Sequence, residues 1–128
     1  MSLVKADQLR KQGKYEEAVR AYDEVLKNNP NNDAAHFNKA VAYNNKGLVL
    51  WNLGKFGEAI GCYNEALRLK PDLAEAYSNK GVALKNQGKF EESVEYYNEA
   101  LRLKPDYAIA YNNKGCALRE QGKNDEAI

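Results

Sequence analysis

The ten residues from Tyr63 to Asp72, YNEALRLKPD, return letter for letter from Tyr97 to Asp106, 34 positions later. A fixed spacing of this size marks stacked supersecondary units, each too small to bury its own apolar face alone. Other markers keep the same beat: Asn-Lys-Gly begins at Asn45, Asn79 and Asn113, and Gly-Lys pairs occur at Gly54, Gly88 and Gly122. Pro71 and Pro105 close two units, and Pro30 closes an earlier one. The step from Gly13-Lys14 to Gly54-Lys55 is different: 41 residues, seven more than the period. Stacked arrays work through extended surfaces rather than catalytic pockets.

Each unit reads as two helices. Ala74 to Asn86 has few breakers and brings Tyr77, Gly81, Leu84 and Lys85 near one face. Gly88 follows as a glycine able to take the left-handed conformation that ends a helix. A second run begins at Phe90 and carries Phe90, Val94, Tyr97, Ala100 and Leu101 along an amphipathic stripe. Pro105 stops it, because proline disfavours helical geometry in the residue before it. Asp106 is then expected to cap the next helix. No segment alternates with period two for long enough to argue a strand, so the class is all-α.

These residues closely resemble the tetratricopeptide-repeat family, whose unit is a 34-residue helical hairpin with fixed bulky, small and proline places. The third unit matches with Tyr77, Gly81, Leu84, Ser93, Tyr97, Ala100 and Pro105, and the second with Tyr43, Gly47, Leu50, Ala59, Tyr63, Ala66 and Pro71. The first matches with Ala6, Leu9, Ala18, Tyr22, Val25 and Pro30, and the fourth with Tyr111, Gly115, Leu118 and Ala127. The resemblance implies an α-solenoid, a superhelix of about three and a half antiparallel hairpins. The repeats are expected at about 1–32, 33–73 with the seven-residue insertion, 74–107, and a partial fourth over 108–128, the whole a fragment of a longer array. The pentatricopeptide repeats, RNA-reading relatives, have a slightly longer period and lack this Gly, Ala and Pro pattern. One departure is Lys46, Lys80 and Lys114, where the family usually has Leu. A lysine there can lay its apolar stem along a neighbour and keep its charge in water.

The insertion lies between Asp33 and Asn52, where DAAHFNKA and AVAYNNKG both match the start of a unit. Seven residues are nearly two turns, so the apolar stripe stays almost in phase. One helix of about twenty residues, Asp33 to Leu53, is therefore expected, with a kink near Lys39 to Ala42 as the rival arrangement.

Little in the chain points to chemistry. The single histidine, His36, falls at a bulky packing place, and no second His or Cys accompanies it to hold a metal. Glu16-Glu17 and Glu91-Glu92 follow the glycine turns, where a helix dipole favours them. Cys62 and Cys116 stand 54 residues apart in no metal or redox pattern, and the cytoplasm is the default compartment. Nineteen basic against eighteen acidic residues leave no basic stripe for nucleic acid. No apolar run approaches the length of a membrane span. The expectation is no enzyme, no cofactor and no metal, but a module that binds a protein or peptide. The alternatives are a self-associating structural array, through an uncapped C-terminal end or the elongated helix, and a regulatory segment of a larger enzyme.

In the resembled family the first helix of each hairpin lines a concave groove. Carried across, the candidate peptide-binding residues are Asn45, Leu48, Trp51, Asn79, Val82, Lys85, Asn86, Asn113 and Cys116. Asn45, Asn79 and Asn113 recur at one place, resembling the asparagine ladder in the repeats of O-linked N-acetylglucosamine transferase. Such amides can hold a peptide backbone, or simply join neighbouring helices. Trp51 is either an exposed anchor beside Leu48, Val82 and Cys116 or a side chain buried by the long helix. The family's carboxylate clamp for chaperone tails is not met. Its places hold Asn44, Leu48, Asn79, Ile109 and Asn113, or in the other frame Leu3, Asp7, Asn38 or Asn45, Glu75 and Asn79, and only Asn survives.

Overall fold

The computed structural model describes the backbone of residues 2–127, with side chains as far as residue 123. Seven helices follow in order: α1 Leu3–Lys11, α2 Tyr15–Asn28, α3 Asp33–Asn52, α4 Phe56–Leu69, α5 Ala74–Asn86, α6 Phe90–Leu103 and α7 Ala108–Ala127. Among the described residues there is no strand, as the sequence led us to expect. Ser2 caps α1 by accepting from the Lys5 amide at 3.2 Å, and Asn32 caps α3 by accepting from Ala35 at 3.1 Å. Asp106 does not cap α7, which begins only at Ala108; its counterpart Asp72 pairs with Lys70 at 3.1 Å instead.

The tight turns inside the hairpins need glycine. Gly13, Gly54 and Gly88 have φ of 79°, 77° and 79°, the left-handed region. At the first, the Gly13 amide donates to Arg10 and the Lys14 amide to Leu9, both at 3.0 Å, which satisfies the last carbonyls of α1. Acidic residues then fill the first turns of α2, α4 and α6.

Packing follows a small-against-large rule. Tyr22, Tyr63 and Tyr97 are fully buried, one per hairpin, each stabilising by about 2–3 kcal/mol through burial alone. Tyr63 lies on Gly47 and Tyr97 on Gly81, so closely that a methyl group on either glycine would meet a ring carbon at 2.4 or 2.6 Å. Ser93 donates to the Gly81 carbonyl at 2.8 Å and holds α6 down on α5.

Consecutive helices pack as antiparallel neighbours, in two layers. The inner helices α1, α3, α5 and α7 also touch one another in turn, while α2, α4 and α6 do not. Contact on one side and spreading on the other curve the array, with the odd-numbered helices inside the bend.

The seven extra residues do not interrupt the helix: α3 is a single run of 20 residues, against 13 in α5. Its two sides serve different hairpins. Ala35 and Ala42 join the cluster of α1 and α2, whereas Ala40, Leu50 and Trp51 pack toward α4 and α5. Lys39 pairs with Asp23 at 2.6 Å and Lys46 with Glu16 at 3.3 Å, which fixes α2 against the body of α3. The first hairpin is thus displaced along α3 by about 10 Å, seven residues at ~1.5 Å each. The displacement leaves Val49 exposed beside the turn at Gly13 to Tyr15, above an open cleft of about 380 Å³. At the opposite end Phe37 is left beside Leu69 to Asp72.

The C-terminal region departs from expectation. The pattern calls for a turn at Gly122-Lys123 and the start of a second helix, yet α7 continues through both to Ala127. Gly122 does not take the left-handed conformation of the other three turn glycines. The described residues beyond Lys123 are too few to bury an apolar face. Extending an existing helix avoids the cost of nucleating a new one. The side chain of Ala127, matched above to a small place, and Ile128 lie outside the described side chains.

Candidate functional site

The concave face is built by α3, α5 and α7 because their neighbours α4 and α6 cover the other side. Asn45, Trp51, Asn79, Val82, Lys85, Asn113 and Cys116 are half-buried along it, while Leu48 and Asn86 are exposed. Ser78, also expected there, is buried.

Hydrogen bonds between inner helices use part of this set. Asn79 donates to Asn44 Oδ1 at 3.0 Å, and Asn44 is itself buried. One amide of the ladder therefore ties α5 to α3. Asn45 and Asn113 have no hydrogen bond to another side chain among the described residues. Trp51 falls between its two alternatives. Its ring packs on the cluster around Ala59, Tyr63 and Ala83, and its indole N–H donates to Asn86 Oδ1 at 2.7 Å. Asn38 donates to Asp7 at 3.0 Å and repeats the pattern between α3 and α1.

The three buried tyrosines differ beneath this surface. Tyr22 donates its hydroxyl to Asp7 and accepts from Arg10 Nε at 3.0 Å. Burial, and then the bond to Asp7, push its pKa up to about 12. The residues equivalent to Asp7 one and two units on are Leu48 and Val82, which cannot accept a proton. The hydroxyls of Tyr63 and Tyr97 are accordingly buried without a partner. Burial pushes Tyr63 up to about 12 and raises Tyr97 as well. The sequence signal was available in the change from Asp7 to Leu48 and Val82, but equal tyrosines at equal places concealed it.

The outer side explains the lysines. Lys80 donates to the Tyr96 hydroxyl at 2.9 Å, with its ammonium 4.0 Å from the ring centre. Lys46 reaches Glu16. Both keep a partner at the edge, so a charged residue at this place is compatible with packing.

His36 points to the Pro30 carbonyl, 2.8 Å away, and braces the loop before α3. Cys62 and Cys116 are free and half-buried, and burial raises the Cys62 thiol. Among the described residues no group of His, Cys, Asp and Glu could hold a metal, and no helix is long and apolar enough to cross a membrane.

Two models of one repeat family match nearly end to end. The tetratricopeptide-repeat model fits residues 44–108 and 80–128, and a second, described as TPR repeat, fits residues 6–47. The chain belongs to the tetratricopeptide-repeat family. Solved structures of tetratricopeptide-repeat domains share its fold. The first such domain of human RPAP3 is 28% identical over 98% of this chain and 94% of that one, with a TM-score of 0.62. MamA is 26% identical over 95% of this chain and 87% of that one, with a TM-score of 0.63. The first such domain of Spaghetti (RPAP3), solved with the HSP90 peptide SRMEEVD, is 30% identical over 92% and 88%, with a TM-score of 0.61. Tetratricopeptide-repeat domains are protein-interaction modules and are in general not catalytic, and peptide binding is seen among these neighbours.

Proposed function

We propose that the chain binds an extended peptide, or an extended segment of another protein, in the groove along α3, α5 and α7, without chemistry of its own. The supporting observation is the strip of Asn45, Asn79 and Asn113 running beside Leu48, Trp51, Val82 and Cys116, all accessible at least in part on one curved face. An amide side chain offers a donor and an acceptor to a peptide backbone. The apolar residues between them would receive side chains, with Trp51 as the largest anchor. Lys85 and Asn86 would border the same segment.

The HSP90 peptide bound by the neighbours supports a peptide as the ligand class, but not an acidic tail for this chain. Asn44, Ile109 and Asn113 stand where the family's clamp carries basic residues. The ligand we propose is therefore of mixed or low charge, held by its backbone and one or two apolar side chains. Free thiols at Cys62 and Cys116 fit a reducing compartment, and we place the protein in the cytoplasm.

Selection from a random peptide library on the immobilised chain tests this, with affinity read from Trp51 fluorescence. Asn113→Ala is the clean variant, because Asn79→Ala also strands the buried Asn44. Loss of one or two backbone hydrogen bonds at ~0.5–1.5 kcal/mol each should weaken binding by roughly 2- to 160-fold. Selected peptides that bind Asn113→Ala and Asn79→Ala as well as the parent would remove the ladder from the account. A library that yields no binder would remove the groove.

A further inference from the structure

The contacts that seat the first hairpin on α3 are written into that helix twice. Ala35 and Ala42 receive the apolar cluster of α1 and α2, and Asn38 donates to Asp7 at 3.0 Å. Lys39 and Lys46 pair with Asp23 and Glu16 at 2.6 and 3.3 Å. Seven residues after Ala35, Asn38 and Lys39 stand Ala42, Asn45 and Lys46, the same three residue types. Seven residues after Ala42 stands another apolar residue, Val49. Seven steps of about 100° fall only ~20° short of two turns, so this second set looks out from the same side, ~10 Å further along. Much of it is unused. Val49 is 47% exposed above the cleft at Gly13 to Tyr15, and Leu53 beyond it is 66% exposed. Asn45 makes no hydrogen bond to another side chain among the described residues.

The fold already fills such a seat one unit later. Ala76 and Ala83 on α5, 34 residues after Ala42 and Val49, are fully buried where the hairpin of α3 and α4 packs. We propose that the first hairpin has two seats on α3, seven residues apart, and ratchets between them. In the second seat Ala42 and Val49 receive the apolar cluster, Asn45 meets Asp7, Lys46 meets Asp23, and the cleft below Val49 closes. Residues 33–39 then leave the helix and lengthen the loop that follows Asn28. Packed helices move past one another in discrete steps of this kind, because side chains interlock only at whole turns. The first seat is the favoured one for three reasons. It keeps residues 33–39 helical, and it pairs both lysines, whereas the second sets Leu53 opposite Glu16. It also places Ala42 where the second would have to bury the larger Val49.

Two nitroxide labels read the seat in chains carrying Cys62→Ser and Cys116→Ser. Lys27→Cys on α2 and Lys55→Cys before α4 replace exposed side chains. The slide brings the labels closer by about 10 Å, seven residues at ~1.5 Å each. Pulsed electron–electron resonance should show a main long distance and a minor short one. Ala35→Leu overfills a side chain that is fully buried in the first seat and lies in the loop in the second. The ratio of short to long distances should rise by roughly tenfold. Asn38→Ala with Lys39→Ala removes two contacts of the first seat without overfilling it, and should shift the ratio the same way if Ala35→Leu unfolds the hairpin. Val49→Lys is tolerated in the first seat and excluded from the second. It should abolish the short distance, alone and combined with either change, at unaltered helical content by circular dichroism. A single long distance in the parent and in both first-seat variants would overturn the proposal. So would a short distance that survives Val49→Lys.

Discussion

Removing one hydroxyl from each buried tyrosine should give opposite signs at equivalent places. Tyr22 gives its hydroxyl proton to Asp7 and accepts from Arg10, and bonds to charged groups contribute about 1.5–3 kcal/mol each. Asp7 keeps Asn38 as a partner, so Tyr22→Phe should cost about 2 kcal/mol rather than the full sum. Tyr63 and Tyr97 bury a hydroxyl with no partner. An unpaired buried polar group costs about 1–3 kcal/mol, and part of that should be recovered on its deletion. Tyr63→Phe and Tyr97→Phe should therefore be neutral or stabilising by up to ~1 kcal/mol. Urea unfolding followed by circular dichroism gives the midpoints, with thermal shifts of roughly 4 °C per kcal/mol expected for a chain of this size. Equal destabilisation by all three substitutions would refute the reasoning. It would mean that the hydroxyls of Tyr63 and Tyr97 have hydrogen-bond partners, such as bound water.

Glycine substitutions sort by what lies above them. Gly81→Ala drives a methyl into Tyr97 at 2.6 Å and should destabilise by about 1–3 kcal/mol despite better helix propensity; Gly115→Ala meets open space and should stabilise by up to ~1 kcal/mol, both read from urea midpoints. Alkaline titration should unfold the protein, because tyrosines with raised folded pKa values favour the native state only while protonated. Their contribution is complete below the unfolded value near 10 and is lost as pH rises through about 12. Circular dichroism against pH should show that loss, Tyr63→Phe should move it to higher pH, and an unshifted midpoint in that variant would contradict the assignment. Asn44→Ala should weaken the α3–α5 junction by roughly 1 kcal/mol, seen as faster amide exchange in α5.

Much of the fold was legible because the period is local information. YNEALRLKPD encodes the second half of an outer helix and its proline stop, and the recurring Gly-Lys pairs mark turns. The seven-residue insertion was readable too, since nearly two turns keep a stripe in phase and no proline lies between Asp33 and Asn52. Gly122 misled because a glycine turn forms only when the helix after it has something to pack against. The proposed groove could be named from the sequence as a set of places but not as a set of bonds. Whether Asn79 meets a ligand or Asn44, and whether Trp51 is free or held by Asn86, depends on register between helices some 35 residues apart. That register is decided by packing over the whole hairpin and leaves no short motif.

The most direct test of the binding account is a map of where a selected peptide touches the protein. Backbone amide shifts recorded during a titration should change along α3, α5 and α7, centred on Asn45, Asn79 and Asn113 with the Trp51 indole moving alongside. Changes confined to the outer helices α2, α4 and α6, with the inner face silent, would contradict it.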